Sequence, residues 1–332
     1  MKVAYLGCGS WGFCLASLLA SKGYRVVSWT TDPALAKELN RSRRHPRFPE
    51  FVCGSNISFT TDLGKAVEGA ELLAEAVTAE GIRPVFSELA RIGVPSCPIV
   101  STSKGIEKDN NLTMPELIAK ILGFQHREQI GALSGPSFAQ EVIRQLPTSI
   151  VATGYRYSVI EEICEAFSTD YLRIYPNQDV KGVAFGGALK NIVAIACGIA
   201  EGLKMGFSAR AALLTRGLHE IRKLAVAKGC LPETFSGLSG LGDLCMTCSS
   251  PLSRNFLMGE LIAQGFKPDE AKAKIGMVVE GAYSCIAALQ MAKEESIPMP
   301  ISECVYQILF EGLSPKEAVP RLMQRAIKEE HL

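Results

Sequence analysis

A charged side chain interrupts a long apolar run near the middle of the chain. Residues 182–202 read GVAFGGALKNIVAIACGIAEG, with Lys190 and Asn191 near their centre. A lysine is seldom fully buried unless it is paired or used in chemistry. The positions three, four and seven residues away on a helix are small: Gly186, Gly187, Ala194 and Cys197. Such neighbours allow a backbone or a ligand to approach the ammonium. Lys190 is therefore a candidate for proton transfer.

Two opposing effects would act on the charge of Lys190. Burial, and a nearby cation such as Lys104, would favour the neutral amine, which exchanges protons readily near pH 7. A buried carboxylate such as Asp243 would instead pair with the ammonium and favour the charged form. The same carboxylate would orient the lysine, so pairing is compatible with catalysis. The sequence leaves the balance between the two effects open.

A glycine-rich turn near the N-terminus has the pattern G-x-G-x-x-G: Gly7, Cys8, Gly9, Ser10, Trp11 and Gly12. It follows a strand-like run, MKVAYL, and precedes a helix-like segment. In this setting the first glycine permits the tight turn, and the second lets backbone N–H groups approach a pyrophosphate. The third allows close packing of the helix on the sheet, and the helix N-terminus adds partial positive charge. The motif predicts dinucleotide binding and is much less typical of an ordinary turn.

The coenzyme is less clearly specified than the turn. The second strand ends in Trp29-Thr30-Thr31-Asp32, where Asp32 suits either the ribose hydroxyl of NAD or the N-cap of the next helix. Four arginines then follow within a short stretch: Arg41, Arg43, Arg44 and Arg47. They would reach the 2′-phosphate of NADP if their loop folds back, or would form a solvated basic loop. The choice between NAD(H) and NADP(H) therefore stays open.

Two further junctions carry polar residues where strands end. In STSKGIE (101–107), Lys104 would point into the crevice at the carboxyl end of a parallel strand, although a lone lysine in a loop is more often a surface residue. In LSGPSFAQEV (133–142), Gly135 and Ser137 would bind an anion or a hydroxyl, or cap the following helix.

The stretch GLSGLGDLCMTCSSPLSRNF (237–256) is the densest polar segment of the second half. Asp243 follows a glycine, and Ser253, Arg254 and Asn255 stand at the start of a helix. An arginine there opposes the helix dipole unless an anion is bound as well, and a guanidinium suits a phosphate. Cys245-x-x-Cys248, with no second pair, is poor support for zinc or for a redox site and is assigned to packing. We expect no metal site.

Histidine is a weak candidate for the acid or base. The chain has four histidines, and none stands next to these motifs in the sequence: His45, His126, His219 and His331. Lysine is therefore the preferred acid/base candidate.

Composition limits the classes of protein that remain. The chain has 332 residues, 47% of them hydrophobic, and a formal net charge of +1. This balance argues against a general nucleic-acid binder. Eleven scattered cysteines and a strand directly at the N-terminus are typical of a cytoplasmic protein with free thiols. Residues 182–200 are long enough to span a membrane, but the central Lys190 and Asn191 favour a buried helix of a soluble protein instead.

Strand and helix patterns alternate in the first half and become helical in the second. Strands are expected over 3–6, 24–29, 71–77, 98–102, 130–134 and 149–153. Helices are expected over 11–22, 33–40, 182–202, 208–228, 251–264, 268–274, 280–295, 301–311 and 315–328. The pattern predicts an α/β Rossmann domain with a doubly wound parallel sheet over 1–180. An all-α substrate-binding domain is expected over 181–332.

Taken together, these motifs resemble the NAD(P)-dependent glycerol-3-phosphate dehydrogenase family. They keep order and spacing over nearly the whole chain: GCGSWG (7–12), SKGIE (103–107), SGPSFAQEV (134–142), GGALKNIVAIACGIAEGL (186–203), SGLSGLGDLCMTCSSPLSRN (236–255) and VVEG (278–281). The resemblance implies reversible reduction of dihydroxyacetone phosphate to sn-glycerol 3-phosphate with NAD(H) or NADP(H). It also implies cytoplasmic supply of the glycerophospholipid backbone, a small phosphorylated substrate and a homodimer.

The resemblance also implies roles for individual residues. Lys190 corresponds to the proton donor or acceptor, Thr247 to a threonine near the reacting carbon, and Asp243 to a residue that contacts the substrate. Further substrate contacts are implied for Lys104, Gly135, Ser137, Ser253, Arg254 and Asn255. Cofactor contacts are implied for the glycine turn and for Ser10, Trp11, Lys104, Ala139, Arg254, Val278 and Glu280.

The sequence departs from the family pattern at two places on the cofactor side. Thr30 stands where members usually have a basic residue, and Thr78-Ala79 where they often have Pro-Ser. Two alternatives to the family's activity remain. One is a dehydrogenase of the same architecture for another hydroxy or keto acid, and the other is a non-catalytic dinucleotide sensor. A sensor would not need Lys190, Asp243 and Arg254 together.

Overall fold

The computed structural model describes residues 1–326, 329 and 330. The chain divides into two compact units. The first comprises Met1–Lys104 and Thr113–Ala184, and the second comprises Gly105–Leu112 and the residues from Phe185 onward. The assignment of cofactor binding to residues 1–180 and of substrate binding to residues 181–332 stays a prediction.

An eight-stranded sheet forms the centre of the first unit, with strand order β3-β2-β1-β4-β5-β6-β7-β8. The strands are β1 (Lys2–Leu6), β2 (Arg25–Trp29), β3 (Ile57–Thr60), β4 (Leu72–Glu75), β5 (Ile99–Ser101), β6 (Ile130–Ser134), β7 (Thr148–Gly154) and β8 (Leu172–Asn177). The Rossmann prediction is confirmed. One pair departs from the parallel arrangement, because β6 and β7 run antiparallel.

Helices connect the strands of this unit: α1 (Ser10–Ser21), α2 (Pro33–Ser42), α3 (Leu63–Val67), α4 (Ala79–Ile92), α5 (Met114–Leu122), α6 (Ala139–Val142) and α7 (Tyr157–Phe167). Local sequence explains several of their starts. Asp32 caps α2 through its side chain, with Pro33 as the first helical residue. Thr113 and Glu116 form a capping box at α5.

Two strands were not expected from the sequence, β3 and β8, and they lie at the two edges of the sheet. Their residues alternate between buried and exposed positions, so neither strand shows a continuous apolar run. The inner strands β1 and β4 are buried almost throughout, as expected for a sheet covered on both faces.

Helices dominate the second unit. The long helix α8 (Val180–Gly202) starts in the first unit and continues into the second. It is followed by α9 (Gly206–Ala227), α10 (Asp243–Ser249), α11 (Arg254–Ala263), α12 (Pro268–Ile275), α13 (Glu280–Glu294), α14 (Pro300–Phe310) and α15 (Pro315–Met323). The helix expected over 315–328 ends at Met323, and residues 327 and 328 lie outside the described part of the chain.

Within the described residues, α8 has the length and apolar composition to cross a membrane, but 94% of its most apolar window is buried. Many of its side chains belong to the hydrophobic core of the second unit, including Leu189, Ile192 and Ile195. The expectation of a buried core helix therefore describes it correctly.

Candidate active site

The three glycines of the turn between β1 and α1 have two steric roles. Gly7 has a φ of +106°, and a Cβ there would lie 2.6 Å from the carbonyl oxygen of Ala76. A Cβ on Gly12 would lie 2.0 Å from the carbonyl oxygen of Gly7. A Cβ on Gly9 would meet nothing within 4 Å. Two glycines therefore permit close packing, and the third leaves space in front of the helix.

That space is suited to the diphosphate of a dinucleotide. Gly9 is the N-cap of α1 and makes no side-chain capping bond. The first N–H groups of a helix have no partner within the helix, and they favour an anion together with the helix dipole. Ser10 and Trp11 are half-buried beside this end of the helix. The residues present therefore fit NAD(H) or NADP(H).

The four arginines at the end of α2 and in the following loop do not share one binding site. Arg41 pairs with Glu38, Arg43 donates to the carbonyl oxygens of Gly54 and Ile57, and Arg44 donates to that of Pro49. Arg47 instead reaches Ser10 Oγ, at 3.4 Å. The cluster is thus a set of local contacts, with one arginine beside the glycine turn.

Asp32 caps the N-terminus of α2, which was one of the two roles expected for it. Its Oδ1 accepts from the N–H groups of Ala34 and Leu35, at 2.9 and 3.0 Å. Thr30 is buried, and its Oγ1 accepts from the N–H of Asp32.

Lys104, Gly135 and Ser137 come together at the carboxyl ends of β5 and β6. Lys104 Nζ donates to the carbonyl oxygen of Gly135 at 3.0 Å, and Ser137 Oγ donates to the same oxygen at 3.1 Å. Gly135 has a φ of +132°, and a Cβ there would lie 3.0 Å from Ile150 Cα. Ala139, half-buried, begins α6 directly afterwards. Three residues that the resemblance assigns to the substrate therefore share one cluster.

In the second unit, Lys190 is buried with two polar partners from α10. Its Nζ donates to Asp243 Oδ1 and, at 2.7 Å, to Thr247 Oγ1. Thr247 in turn donates to the main-chain oxygen of Asp243 at 2.6 Å. The lysine is 6% exposed and the aspartate 0%. The ammonium thus lies in the interior with a carboxylate to balance its charge and a hydroxyl beside it; we call these three residues the lysine cluster.

Close backbone contacts bring α10 to the lysine. A Cβ on Gly186 would lie 2.4 Å from the carbonyl oxygen of Ser239, in the π-helical turn Leu238–Gly242 that leads into α10. Farther along α8, a Cβ on Gly198 would lie 1.9 Å from the carbonyl oxygen of Phe256. The absence of a side chain at Gly186 therefore lets the backbone of Ser239 pack close to α8, near Lys190.

The turn at 253–255 combines an exposed cation with a buried amide. Ser253 caps α11 by accepting from Phe256 N, and Arg254 is exposed. Asn255 is buried: it donates to Asn191 Oδ1 and accepts from Gly281 N, each at 2.9 Å. The hydrogen bond from Gly281 N fixes the start of α13, where Val278 and Glu280 are half-buried. The Asn191 that follows Lys190 in the sequence is thus explained as a structural partner of Asn255.

Family comparisons agree with this geometry. Residues 2–159 match the family model described as NAD-dependent glycerol-3-phosphate dehydrogenase N-terminus, and residues 179–320 match the corresponding C-terminus. The chain belongs to the NAD-dependent glycerol-3-phosphate dehydrogenase family. It is an oxidoreductase that uses NAD(H) or NADP(H), as the sequence motifs predicted.

Relatives of known identity cover the whole chain. It is 58% identical over 331 residues to the glycerol-3-phosphate dehydrogenase [NAD(P)+] of Protochlamydia amoebophila, covering 100% of this chain and 99% of the relative. The enzyme of that name from Chlamydia abortus is 53% identical, with the same coverage. The crystal structure of glycerol-3-phosphate dehydrogenase from Coxiella burnetii has a TM-score of 0.92 and 34% identity, covering 98% of this chain and 99% of the other.

Sequence reasoning missed a buried glutamate in the dehydrogenase. Glu75 ends β4, is 0% exposed, and accepts from Ser101 Oγ (2.5 Å), Ser103 Oγ (2.7 Å) and Val77 N (3.0 Å). Burial raises the pKa of its carboxyl. The glutamate ties the end of β4 to the segment that carries Lys104. The available signal was an acidic residue at the end of the apolar run LLAE (72–75).

His45 contacts the glycine turn in space, although it is distant from the turn in the sequence. Its Nε2 lies 3.1 Å from the carbonyl oxygen of Cys8, inside the glycine turn. Separation in sequence hid this contact, because the 43–53 loop returns to the turn. His331 lies outside the described residues.

The described residues form neither a metal-binding cluster nor a disulfide. They contain no group of three His, Cys, Asp or Glu side chains arranged to hold a metal ion. The eleven cysteines are free thiols. A hydrogen bond to Cys197 and burial raise the pKa of Cys248, and burial raises that of Cys245, which makes both thiols poor nucleophiles.

Proposed function

We propose that this dehydrogenase reduces dihydroxyacetone phosphate to sn-glycerol 3-phosphate, reversibly, with Lys190 as the proton donor. The observation that carries the assignment is the lysine cluster. A buried lysine that donates to both a carboxylate and a hydroxyl has the chemistry for acid/base catalysis, and the family resemblance implies that Lys190 is the proton donor.

The glycine turn would hold the coenzyme by its diphosphate, as its open Gly9 and the N-terminus of α1 indicate. We propose that Ser10, Trp11, Ala139, Val278 and Glu280 contribute further cofactor contacts, as the family resemblance implies. When bound, the coenzyme supplies the hydride that reduces the ketone carbon.

Lys190 would deliver a proton to the ketone oxygen as that oxygen gains negative charge. Asp243 balances the charge of the ammonium and fixes its position. Thr247 Oγ1 accepts a second hydrogen bond from Lys190 Nζ. A charge fixed in place before reaction stabilises the transition state without the cost of reorganising solvent.

Two groups would bind the rest of the substrate. We propose that Arg254 binds the phosphate together with Ser253 and Asn255, since an exposed guanidinium at a helix start matches a phosphate in charge and geometry. Lys104, held by the carbonyl of Gly135 beside Ser137, would polarise the ketone oxygen.

The cellular setting is proposed from the family as well. A cytoplasmic homodimer that supplies the glycerophospholipid backbone agrees with the free thiols of the chain. Light scattering coupled to size exclusion would test the dimer: a mass near twice 35.8 kDa supports it, and a monomeric mass contradicts it.

The function is tested by initial rates with dihydroxyacetone phosphate, comparing NADH with NADPH at equal concentration. We expect saturable turnover with this substrate and little with dihydroxyacetone, because the latter has no phosphate for Arg254. Equal turnover of both ketones would favour a dehydrogenase for unphosphorylated substrates. Coenzyme binding without turnover of any ketone would favour a sensor. The Arg254→Gln variant is the matched check, and it should raise KM for the phosphorylated ketone selectively.

A further inference from the structure

The loop after α2 is fastened to the glycine turn by a buried histidine. His45 is 5% exposed. Its Nε2 lies 3.1 Å from the carbonyl oxygen of Cys8, and its Nδ1 accepts from the N–H of Arg47 at 3.1 Å. Since Nδ1 accepts, Nε2 carries the proton and donates to Cys8. The ring also packs on Phe13 of α1, with centroids 5.2 Å apart.

The surroundings of His45 favour its neutral form, which both of its hydrogen bonds require. Burial lowers the pKa of His45, and the charge of Arg47 lowers it further, against the opposing effect of the hydrogen bond to Cys8. One side chain therefore links the middle of the glycine turn to the backbone of Arg47.

The fastened loop presents Arg47 at the start of α1. Its Nη1 lies 3.4 Å from Ser10 Oγ, and the residue is exposed. Its neighbour Arg44 instead donates to the carbonyl of Pro49. Ser10 is the first residue of the helix whose N-terminus faces the open space at Gly9. A guanidinium here lies beside the space that is proposed for the diphosphate.

The diphosphate of a dinucleotide carries full negative charges, whereas the turn supplies N–H groups and a partial charge only. A guanidinium adds a full charge and a forked donor that matches phosphate oxygens. The 2′-phosphate of NADP belongs instead at the end of β2, at Thr30–Asp32.

We propose that Arg47 binds the diphosphate of NAD(H) and NADP(H) alike, and that His45 is the positioning residue that holds it there. The proposal rests on the proposed use of the glycine turn for the coenzyme. It predicts an arginine that adds affinity for any diphosphate-containing ligand without discriminating between the two coenzymes.

The test is calorimetric binding, without substrate, of NADH, NADPH, ADP and adenosine to wild type, Arg47→Ala and Arg44→Ala. Losing one charge-assisted hydrogen bond should weaken NADH, NADPH and ADP by about tenfold in Arg47→Ala. Adenosine, which has no phosphate, should bind as before. Arg44→Ala is the matched control from the same loop and should leave all four ligands within about twofold of wild type.

His45→Ala tests the positioning role. It should weaken the three phosphate ligands as Arg47→Ala does, and the double variant should lose little more, because both changes remove one interaction. Arg47→Lys should recover part of the affinity. Circular dichroism checks that each variant is folded, and if His45→Ala fails to fold, the arginine series alone decides.

Two results would overturn the proposal. Loss of NADPH affinity alone would place Arg47 at the 2′-phosphate, and unchanged affinity for all ligands would remove it from the site. The binding measurement contains no ketone. Its outcome is therefore independent of whether dihydroxyacetone phosphate is turned over in the rate assay.

Discussion

The glycine turn of the first unit and the lysine cluster of the second are built from different materials. The turn offers backbone N–H groups. Glycine occupies the positions where a side chain would clash or where φ is positive. The lysine cluster consists of buried side chains, with Lys190 bonded to Asp243 and Thr247. The first region has the backbone geometry that suits a charged ligand, and the second holds a charged side chain of its own.

This difference has consequences for substitution. A backbone site is disturbed mainly when a substitution adds a side chain at a glycine. Depending on the position, the added side chain should reduce either ligand affinity or stability. A side-chain site depends on functional groups, so removing one group should alter the rate while binding survives. The following variants test that separation.

The largest effect is expected at Lys190. Lys190→Ala removes the proposed acid, and general acid catalysis contributes about 10²–10⁴-fold, so kcat should fall by that factor. NADH affinity should stay within about twofold of wild type, because the coenzyme is assigned to the glycine turn. Steady-state rates with dihydroxyacetone phosphate and a fluorescence titration with NADH measure the two quantities.

Removing one partner of a buried ion pair costs about 3–5 kcal/mol, so the effect of Lys190→Ala on catalysis has to be separated from its effect on folding. The control is Lys190→Met with Asp243→Asn, which removes both charges together. It should fold, bind NADH and lack activity. Turnover at the wild-type rate in either variant would remove Lys190 from the mechanism.

The next effects come from two glycines of the same turn. A Cβ on Gly12 would lie 2.0 Å from a main-chain oxygen, so Gly12→Ala should cost stability by about 1–3 kcal/mol, as overpacking does. Gly9 has a φ of −67° and open space, so Gly9→Ala should leave the melting temperature unchanged. Its methyl group would instead occupy the space proposed for the diphosphate and weaken NADH by about tenfold.

Thermal unfolding and NADH titration of both glycine variants decide the point. The opposite outcome, with Gly9→Ala unstable and Gly12→Ala neutral, would contradict the roles assigned to the two positions. Unchanged NADH affinity in Gly9→Ala would remove the diphosphate from this space.

The sequence predicts the turn more fully than it predicts the lysine cluster, and the reason is distance along the chain. Gly7, Gly9 and Gly12 lie within six residues, so their pattern is visible locally. Lys190 and Thr247 are 57 residues apart. The apolar run around Lys190 showed that it needed a partner, and Asp243 was one candidate, but only the fold brings them together.

Other features were hidden for related reasons. The edge strands β3 and β8 are half exposed and lack an apolar run. The π-helical turn Leu238–Gly242 is rich in glycine and resembles a loop in sequence. His45 contacts Cys8 because its loop folds back, which no local pattern encodes.

The smallest effect is expected at Glu220, a second buried carboxylate of the second unit, which accepts from backbone amides and a hydroxyl. Glu220 is 5% exposed and accepts from Ile301 N and Ser302 N, at 2.8 and 3.2 Å, and from Ser302 Oγ. Burial raises its pKa to about 7 from an ordinary value of 4.5. Asp243 has an ammonium to balance its charge, whereas Glu220 is held by amides and a hydroxyl.

The sign of the pH dependence follows from that difference. The folded state binds the Glu220 proton more tightly than the unfolded state, so its contribution to stability is greatest at low pH and declines as pH rises through about 7. Between pH 6 and pH 8 this group should remove about 1 kcal/mol from the free energy of unfolding. Glu220→Gln, which resembles the protonated acid, should remove that decline, whereas the exposed control Glu233→Gln should keep it. Urea unfolding at the two pH values measures the difference, and equal slopes in wild type and Glu220→Gln would show that a buried carboxylate here needs no cation to remain ionised.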